Sequence, residues 1–401
     1  MIDEEKIKKD FPILQQSDRP VVYFDSACMS LKPRQVVEAM NEYYFDYPAC
    51  AGRSSHRLGE LATNKVKEAR HIVARFINAK SDKEIIFTRN TTESINLVAN
   101  SLDLKEGDLV LTTDKEHNSN LIPWQVLRQK KGIRHEIVKS KEDGTFDIED
   151  FNRKISGVKL VSMVHTSNLD GVTIPAKKII ESAHKNGALV LLDAAQSAPH
   201  KKVDVSDLDV DFLAFSGHKI LGPTGTGILY GKYSLLEKLN PFLVGGDTVE
   251  YSTYNEHKML LPPEKFEAGL QDYAGIIGLG KAIEYLQLIG FDNIKKHELK
   301  LNKYITDELH KIPKIKIIGP EDSSLRSGII SFYVEGMNMN QVAVMLDSMS
   351  NVMIRSGRHC VHSWFDAKNI INSARVSLYF YNTMQDAEIF ITSLNKIMKI
   401  I

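Results

Sequence analysis

The sequence has few cysteines, two tryptophans and no apolar run of membrane length, and each shortage excludes something. Three cysteines, Cys28, Cys50 and Cys360, among 401 residues are too few and too scattered for a disulfide framework or a zinc ribbon. Each thiol is therefore packing or chemistry, and a reducing, cytoplasmic setting is expected. The longest apolar candidate, residues 188–192, stops at Asp193, far short of the ~18 residues a membrane helix needs. Met1 is followed by a charged stretch over residues 3–9 rather than by a basic start and an apolar run, so no secretory signal is expected. Charge of one sign is not in excess either. The 51 Lys+Arg balance 51 Asp+Glu, which argues against nucleic acid or an anionic membrane as the main partner. Repeats and low-complexity tracts are absent.

What is present is a globular composition, 43% hydrophobic and 25% charged, on a chain long enough for two or three domains. Short apolar runs at 85–87, 109–111, 160–164, 189–192, 212–215 and 228–230 read as buried strands, with helical stretches such as 175–185 between them. Helical spacing also shows at Val36, Met40 and Tyr43, and at Val66, Ala69, Val73 and Phe76. Continuous apolar strands alternating with helices predict an α/β core with a mainly parallel sheet covered on both faces. After Gly269 the pattern changes to a Gly-rich helical stretch (275–288), a Lys-rich amphipathic region, strands near 329–333 and 352–355, and a closing helix marked by Phe390, Leu394 and Ile397. The expected division is an N-terminal segment over 1–20 packing on the smaller domain, a large domain over 21–270, and a smaller α+β C-terminal domain over 271–401.

Four local patterns carry chemistry. The strand at 189–192 ends in Asp193, at the edge where open α/β sheets put their ligands. A buried carboxylate needs a cationic partner. A protonated pyridine nitrogen supplies one, and the pairing makes that ring an electron sink; a helix cap or loop anchor is the plainer role for such an Asp. The strand at 212–215 runs through Ser216, Gly217 and His218 into Lys219. A desolvated lysine has a lowered pKa and forms imines with carbonyl compounds, although a single lysine past a strand is commonly just a surface residue. Ser216 and His218 offer donors to a phosphate, and the turn at 222–227 lets backbone come close. Thr91 and Thr92 open a helical run, where hydroxyls and free N–H groups form an anion site or simply a cap. His117, in the loop after 109–111, is placed to stack on a planar ring or to sit solvated.

Taken together and in this order, the patterns resemble the fold-type I pyridoxal-phosphate enzymes of the class V aminotransferase superfamily. Within it the chain is similar to the group II (SUF-type) cysteine desulfurases and selenocysteine lyases. The resemblance spans nearly the whole chain, through T-R-N-T-T-E (88–93), E-H-N-S-N-L-I-P-W-Q (116–125), H-T-S-N (165–168), S-G-H-K (216–219) and F-E-A-G (266–269). It implies that Lys219 holds pyridoxal 5'-phosphate as a Schiff base in the large domain, that Asp193 pairs with the ring nitrogen, and that Gln196 bonds the ring 3-oxygen. His117 would stack on the ring, and Thr91, Thr92, Ser216 and His218 would hold the phosphate. Asn168 and Arg355 would lie near the substrate, and Arg375 would bind its carboxylate, a task suited to a bidentate guanidinium. A homodimer is implied as well.

The residue that discriminates among reactions is Cys360, which follows Arg355, Arg358 and His359 in a cationic setting of the kind that favours thiolate. The resemblance implies a desulfurase that converts L-cysteine, or L-selenocysteine, to L-alanine and leaves the sulfur on Cys360 as a persulfide. Lys219 would act as the Cα base, and a SUF-type acceptor protein would carry the sulfur towards iron–sulfur cluster assembly. Two alternatives remain: a class V aminotransferase or carbon–sulfur lyase in which Cys360 is incidental, and a cofactor-binding interaction protein. The segment 358–362 has no carboxylate or cysteine partners at ligand spacing, so no metal is expected. The chain departs from the family pattern at Cys28, where a small residue is usual; packing is the expected role, with a second thiol the alternative if it lies near the cofactor. It departs again at residues 51–56, at Leu270 in place of Thr, and in R-H-C-V-H around Cys360.

Overall fold

The computed structural model describes residue 2, residues 4–16 and residues 20–400. Chain order begins with β1 (Val22–Phe24), whose strand partner comes from the far end of the sequence. Seven strands then build the larger sheet: β2 (Ile85–Thr88), β3 (Leu109–Thr113), β4 (Arg134–Val138), β5 (Val158–Val164), β6 (Leu189–Asp193), β7 (Phe212–Ser216) and β8 (Gly227–Gly231). Their order is β2-β8-β7-β6-β5-β3-β4. Only β8 runs against the rest, since it pairs antiparallel with both β2 and β7 while the other pairs are parallel.

The central strands are apolar without alternation because both faces are covered. Val190 and Leu192 face a core that includes Val73 and Phe76 of the helix Arg57–Phe76, Ile179 of Ala176–Lys185 and Leu279 of Tyr273–Ile289. Leu191, between them, faces the opposite core with Ile95 of Thr91–Ser101 and Trp124 of Asn118–Lys131. These two faces make the expected mainly parallel α/β unit.

A hairpin, β9 (Val249–Ser252) and β10 (His257–Met259), separates this unit from a second sheet of β11 (Ile315–Ile318), β12 (Ile329–Val334), β13 (Val352–Gly357) and β14 (Ser373–Ser377), joined by β1 in the order β1-β13-β14-β12-β11. Phe24, Phe332 and Val376 pack there against Leu301 and Ile305 of the helix Phe291–Leu309 and Phe390 and Leu394 of Met384–Met398. Val22–Phe24 thus belongs to the C-terminal sheet although it lies inside the span 21–270. Three residues cannot form a free-standing sheet, and parallel pairing with β13 satisfies their backbone.

The helix Glu4–Asp10 bridges the two units. Phe11 sits 6.1 Å from the Tyr285 ring and 5.0 Å from that of Tyr381, and Asp10 accepts hydrogen bonds from Tyr285 Oη and Gln35 Nε2, each at 2.7 Å. Residues 1, 3 and 17–19 of the expected N-terminal segment lie outside the described residues. Among the described residues no single helix is long and apolar enough to cross a membrane.

Phe24 fixes β1 against the second core through edge contact with Phe390 at 6.0 Å. Phe24→Ala is expected to cost about 3–5 kcal/mol, read by circular dichroism as an earlier urea transition.

Candidate active site

Parallel pairing of β6 with β7 brings Asp193 opposite Ala214, so the carboxylate and the segment 216–219 emerge at one sheet edge. Asp193 is buried, and among the described residues its carboxylate accepts a hydrogen bond from the Ala195 N–H alone, at 2.9 Å. Burial pushes its carboxyl pKa up, opposed by Lys219 and by the Ala195 N–H. Lys219 ends a short helical turn beyond β7. Burial pushes its ammonium pKa down, Asp193 opposes this, and Arg375 adds to it. Desolvation outweighs mutual attraction at both groups. A glycine at 217 is required because a Cβ there would collide with Thr226 Oγ1.

Two helix starts converge beside them. Thr91 donates its N–H to Ser216 Oγ at 2.9 Å, its hydroxyl lies 2.6 Å from the same atom, and Thr92 Oγ1 pairs with Ser119 Oγ at 2.7 Å. Gly227 lets β8 approach this turn, since a Cβ there would stand 2.5 Å from Asn90 Cα. Hydroxyls and N-terminal N–H groups at the ends of Thr91–Ser101 and Asn118–Lys131 form a cup for an anion.

His117 caps the second helix, with Nδ1 accepting from the Ser119 N–H at 3.1 Å. That bond assigns the proton to Nε2. Burial, with Lys219, Arg375 and Arg355 nearby, pushes the imidazole down to about 3, so the ring is neutral. His218 is pushed down to about 4 by burial and then by Lys219 and Lys32.

The opposite wall comes from the second sheet. Arg375 on β14 is 1% exposed; it donates to the Asn168 carbonyl at 3.0 Å and to Asp25 Oδ1 at 3.3 Å, while its Nε has no partner. Asn168 Nδ2 donates to the His359 carbonyl at 2.8 Å, which ties the turn after β5 to the Cys360 loop. Arg355 on β13 reaches Cys28 Sγ with one Nη at 2.8 Å and Cys360 Sγ with the other at 3.8 Å.

One cavity gathers Thr91, Thr92, His117, Asn168, Asp193, Gln196, Ser216, His218, Lys219, Arg355 and Arg375. Cys360 is not among the residues lining it; its sulfur meets the cavity through Arg355, and its carbonyl accepts from the Asn118 N–H at 2.7 Å. Cys28 lines the cavity, half-buried, the placement on which the second-thiol alternative depends. Asn90, Ser119 and His359 also line it without having been singled out. Ser119 and His359 flank selected residues, which was the available signal; Cys28 followed Ser26 and Ala27 with no cue to direction.

The residues fit pyridoxal phosphate. Gln196 donates to the Ala27 carbonyl at 2.6 Å, yet its Oε1 is buried without a partner. Asp193 has capacity for a cationic ring N–H, the hydroxyl cup suits a phosphate, and Lys219 stands between them as the amine. Buried polar atoms left unpaired are uncommon in a folded chain, and Asn168, Gln196, His359 and Arg375, which line this cavity, each carry one.

The aminotransferase class-V model matches residues 22–390. A probable cysteine desulfurase of Halalkalibacterium halodurans is 43% identical over 397 residues, covering 98% of this chain and 97% of that protein. One of Pyrococcus abyssi is 42% identical, covering 98% of each chain. The apo structure of a cysteine desulfurase from Thermococcus onnurineus superposes with a TM-score of 0.96 at 40% identity, covering 100% of this chain and 99% of that one.

His117 and the buried His165, each pushed down to about 3 mainly by burial, take up protons only on unfolding. Folded pKa values below the ordinary 6.5 mean that stability is lost as pH falls from 6.5, by about 1.4 kcal/mol per pH unit for each such group. A thermal midpoint falling between pH 6.5 and 4, with both imidazoles neutral by nitrogen NMR at pH 5, is expected.

Proposed function

The chain belongs to the aminotransferase class-V family, and from that premise we propose that it is a pyridoxal-phosphate-dependent cysteine desulfurase converting L-cysteine to L-alanine. The observation that carries this reading is Arg355, a wall residue of the cavity whose guanidinium reaches the sulfur of Cys360. It puts a thiol beside the space where an amino acid would sit under Arg375.

When bound, the cofactor supplies an electron sink for bonds broken at the amino acid's α-carbon. Asp193, Gln196, His117 and the hydroxyl cup of Thr91, Thr92 and Ser216, with His218, would hold it. Arg375 Nε would fix the substrate carboxylate, with Asn168 alongside. The Lys219 amine, held towards neutrality by burial, would take the Cα proton and return one. Cys360 Sγ then bonds to the substrate sulfur as the carbon–sulfur bond breaks, and the carbon skeleton leaves as alanine. What remains is a persulfide on Cys360.

Sulfur would pass to an acceptor protein of the SUF type, towards iron–sulfur cluster assembly. Three free thiols suit a reducing, cytoplasmic setting. A homodimer is supported by the exposed apolar residues Phe242, Leu243 and Leu270, which line one surface groove, since exposed apolar clusters mark interaction surfaces.

The deciding experiment measures alanine released from L-cysteine. Cys360→Ala should cut it by at least about 100-fold while the cofactor absorbance stays; unchanged turnover would mean that Cys360 is incidental, as in an aminotransferase or lyase. Arg375→Lys should raise KM about 10- to 100-fold with a smaller change in kcat, since the loss falls on carboxylate binding.

A further inference from the structure

Cys28 has no place in the reaction just described, yet it stands in the wall of the same cavity as Lys219, His117 and Arg375. Its sulfur holds one end of the Arg355 fork at 2.8 Å, while Cys360 Sγ takes the other end at 3.8 Å. One planar guanidinium therefore spans two thiols. Lys219 and Arg375 lie within electrostatic reach of Cys28 as well. Two further polar atoms in the wall, Arg375 Nε and His359 Nδ1, are unpartnered in side chains only 1% and 2% exposed. The surroundings thus carry excess positive charge for an anionic sulfur chain.

The Cys360 segment is built to present its sulfur. Gly357, His359 and Cys360 have φ of 120°, 49° and 59°, and for the last two that conformation is strained. It is held by the bonds from the Asn118 N–H to the Cys360 carbonyl and from Asn168 to the His359 carbonyl. A persulfide adds a sulfur at about 2 Å from Sγ, which lengthens the reach of Cys360 beside the same guanidinium.

We propose that Cys28 is a second sulfur-holding thiol of this enzyme, loaded from Cys360 across Arg355. The proposal rests on the desulfurase reading. The Cys28 sulfur attacks the outer sulfur of the Cys360 persulfide. The sulfur–sulfur bond to Cys360 breaks, a new one forms on Cys28, and the Cys28 proton passes to Cys360. The moved sulfur keeps its oxidation state, so neither oxidant nor reductant is consumed. Cys360 is freed for another turnover before any acceptor arrives, and the chain stores two sulfurs.

The test gives the reduced holoenzyme a few equivalents of L-cysteine without reductant or acceptor protein, quenches with an alkylating agent, counts alanine and maps persulfides by peptide mass spectrometry. The wild type should release about two alanines per chain in its burst, with an added sulfur on both the Cys28 and Cys360 peptides and none on Cys50. Cys28→Ser, which keeps a hydrogen-bonding group for Arg355, should release about one. Cys360→Ala should leave Cys28 unmodified. Alanine release with sulfur on Cys360 but never on Cys28 overturns the proposal and leaves the desulfurase reading intact. Sulfur on Cys28 in Cys360→Ala overturns the transfer from Cys360. No alanine at all from the wild type overturns the desulfurase reading and this proposal with it.

Discussion

Two guanidinium cations, Arg355 and Arg375, and the Lys219 amine face one cavity whose carboxylate, among the described residues, is Asp193, with Asp25 paired to Arg375. Burial desolvates Lys219 and Arg375, so this positive excess is weakly screened and each group is felt by the others. Its effects run through the site. It helps to keep His117 neutral, it works against protonation of Lys219, and it makes the cavity a place for anions. A phosphate, a carboxylate and a sulfur anion are the groups such a field would retain.

That charge is assembled from two separate folding units. The larger sheet contributes the ends of β6 and β7 and two helix starts; the smaller contributes β13 and β14. The connection is the loop after β1, where Ala27 takes Ser377 Oγ at 3.0 Å, Ser26 meets Tyr381 Oη at 2.7 Å, and Ser30 pairs with backbone of the Lys219 turn. Cys28 sits in that loop, which explains how a residue early in the chain comes to share a guanidinium with one near its end.

Legibility in the sequence followed local physics. Asp193 and Lys219 could be found because one ends an apolar strand buried on both faces and the other follows such a strand by three residues, and such runs announce themselves without tertiary knowledge. Arg375 was found by motif alone. Its strand, Ser373–Ser377, reads S-A-R-V-S, with two apolar residues, and it exists because β12 and β13 flank it on either side. β1 has the same dependence on β13, and β4, exposed along most of its length, carries no burial signal to read.

By itself, then, the sequence determined the parallel α/β core, the strand-end carboxylate and lysine, and the helix-start hydroxyls, since these depend on contacts between near neighbours or on burial patterns repeated along one element. Tertiary structure decided that Cys28 lines the cavity, that Cys360 meets Arg355 without lining it, and that one guanidinium serves both thiols. Those facts depend on how two sheets and a connecting loop meet, and no residue in the segment 25–32 or 355–360 encodes the position of the other.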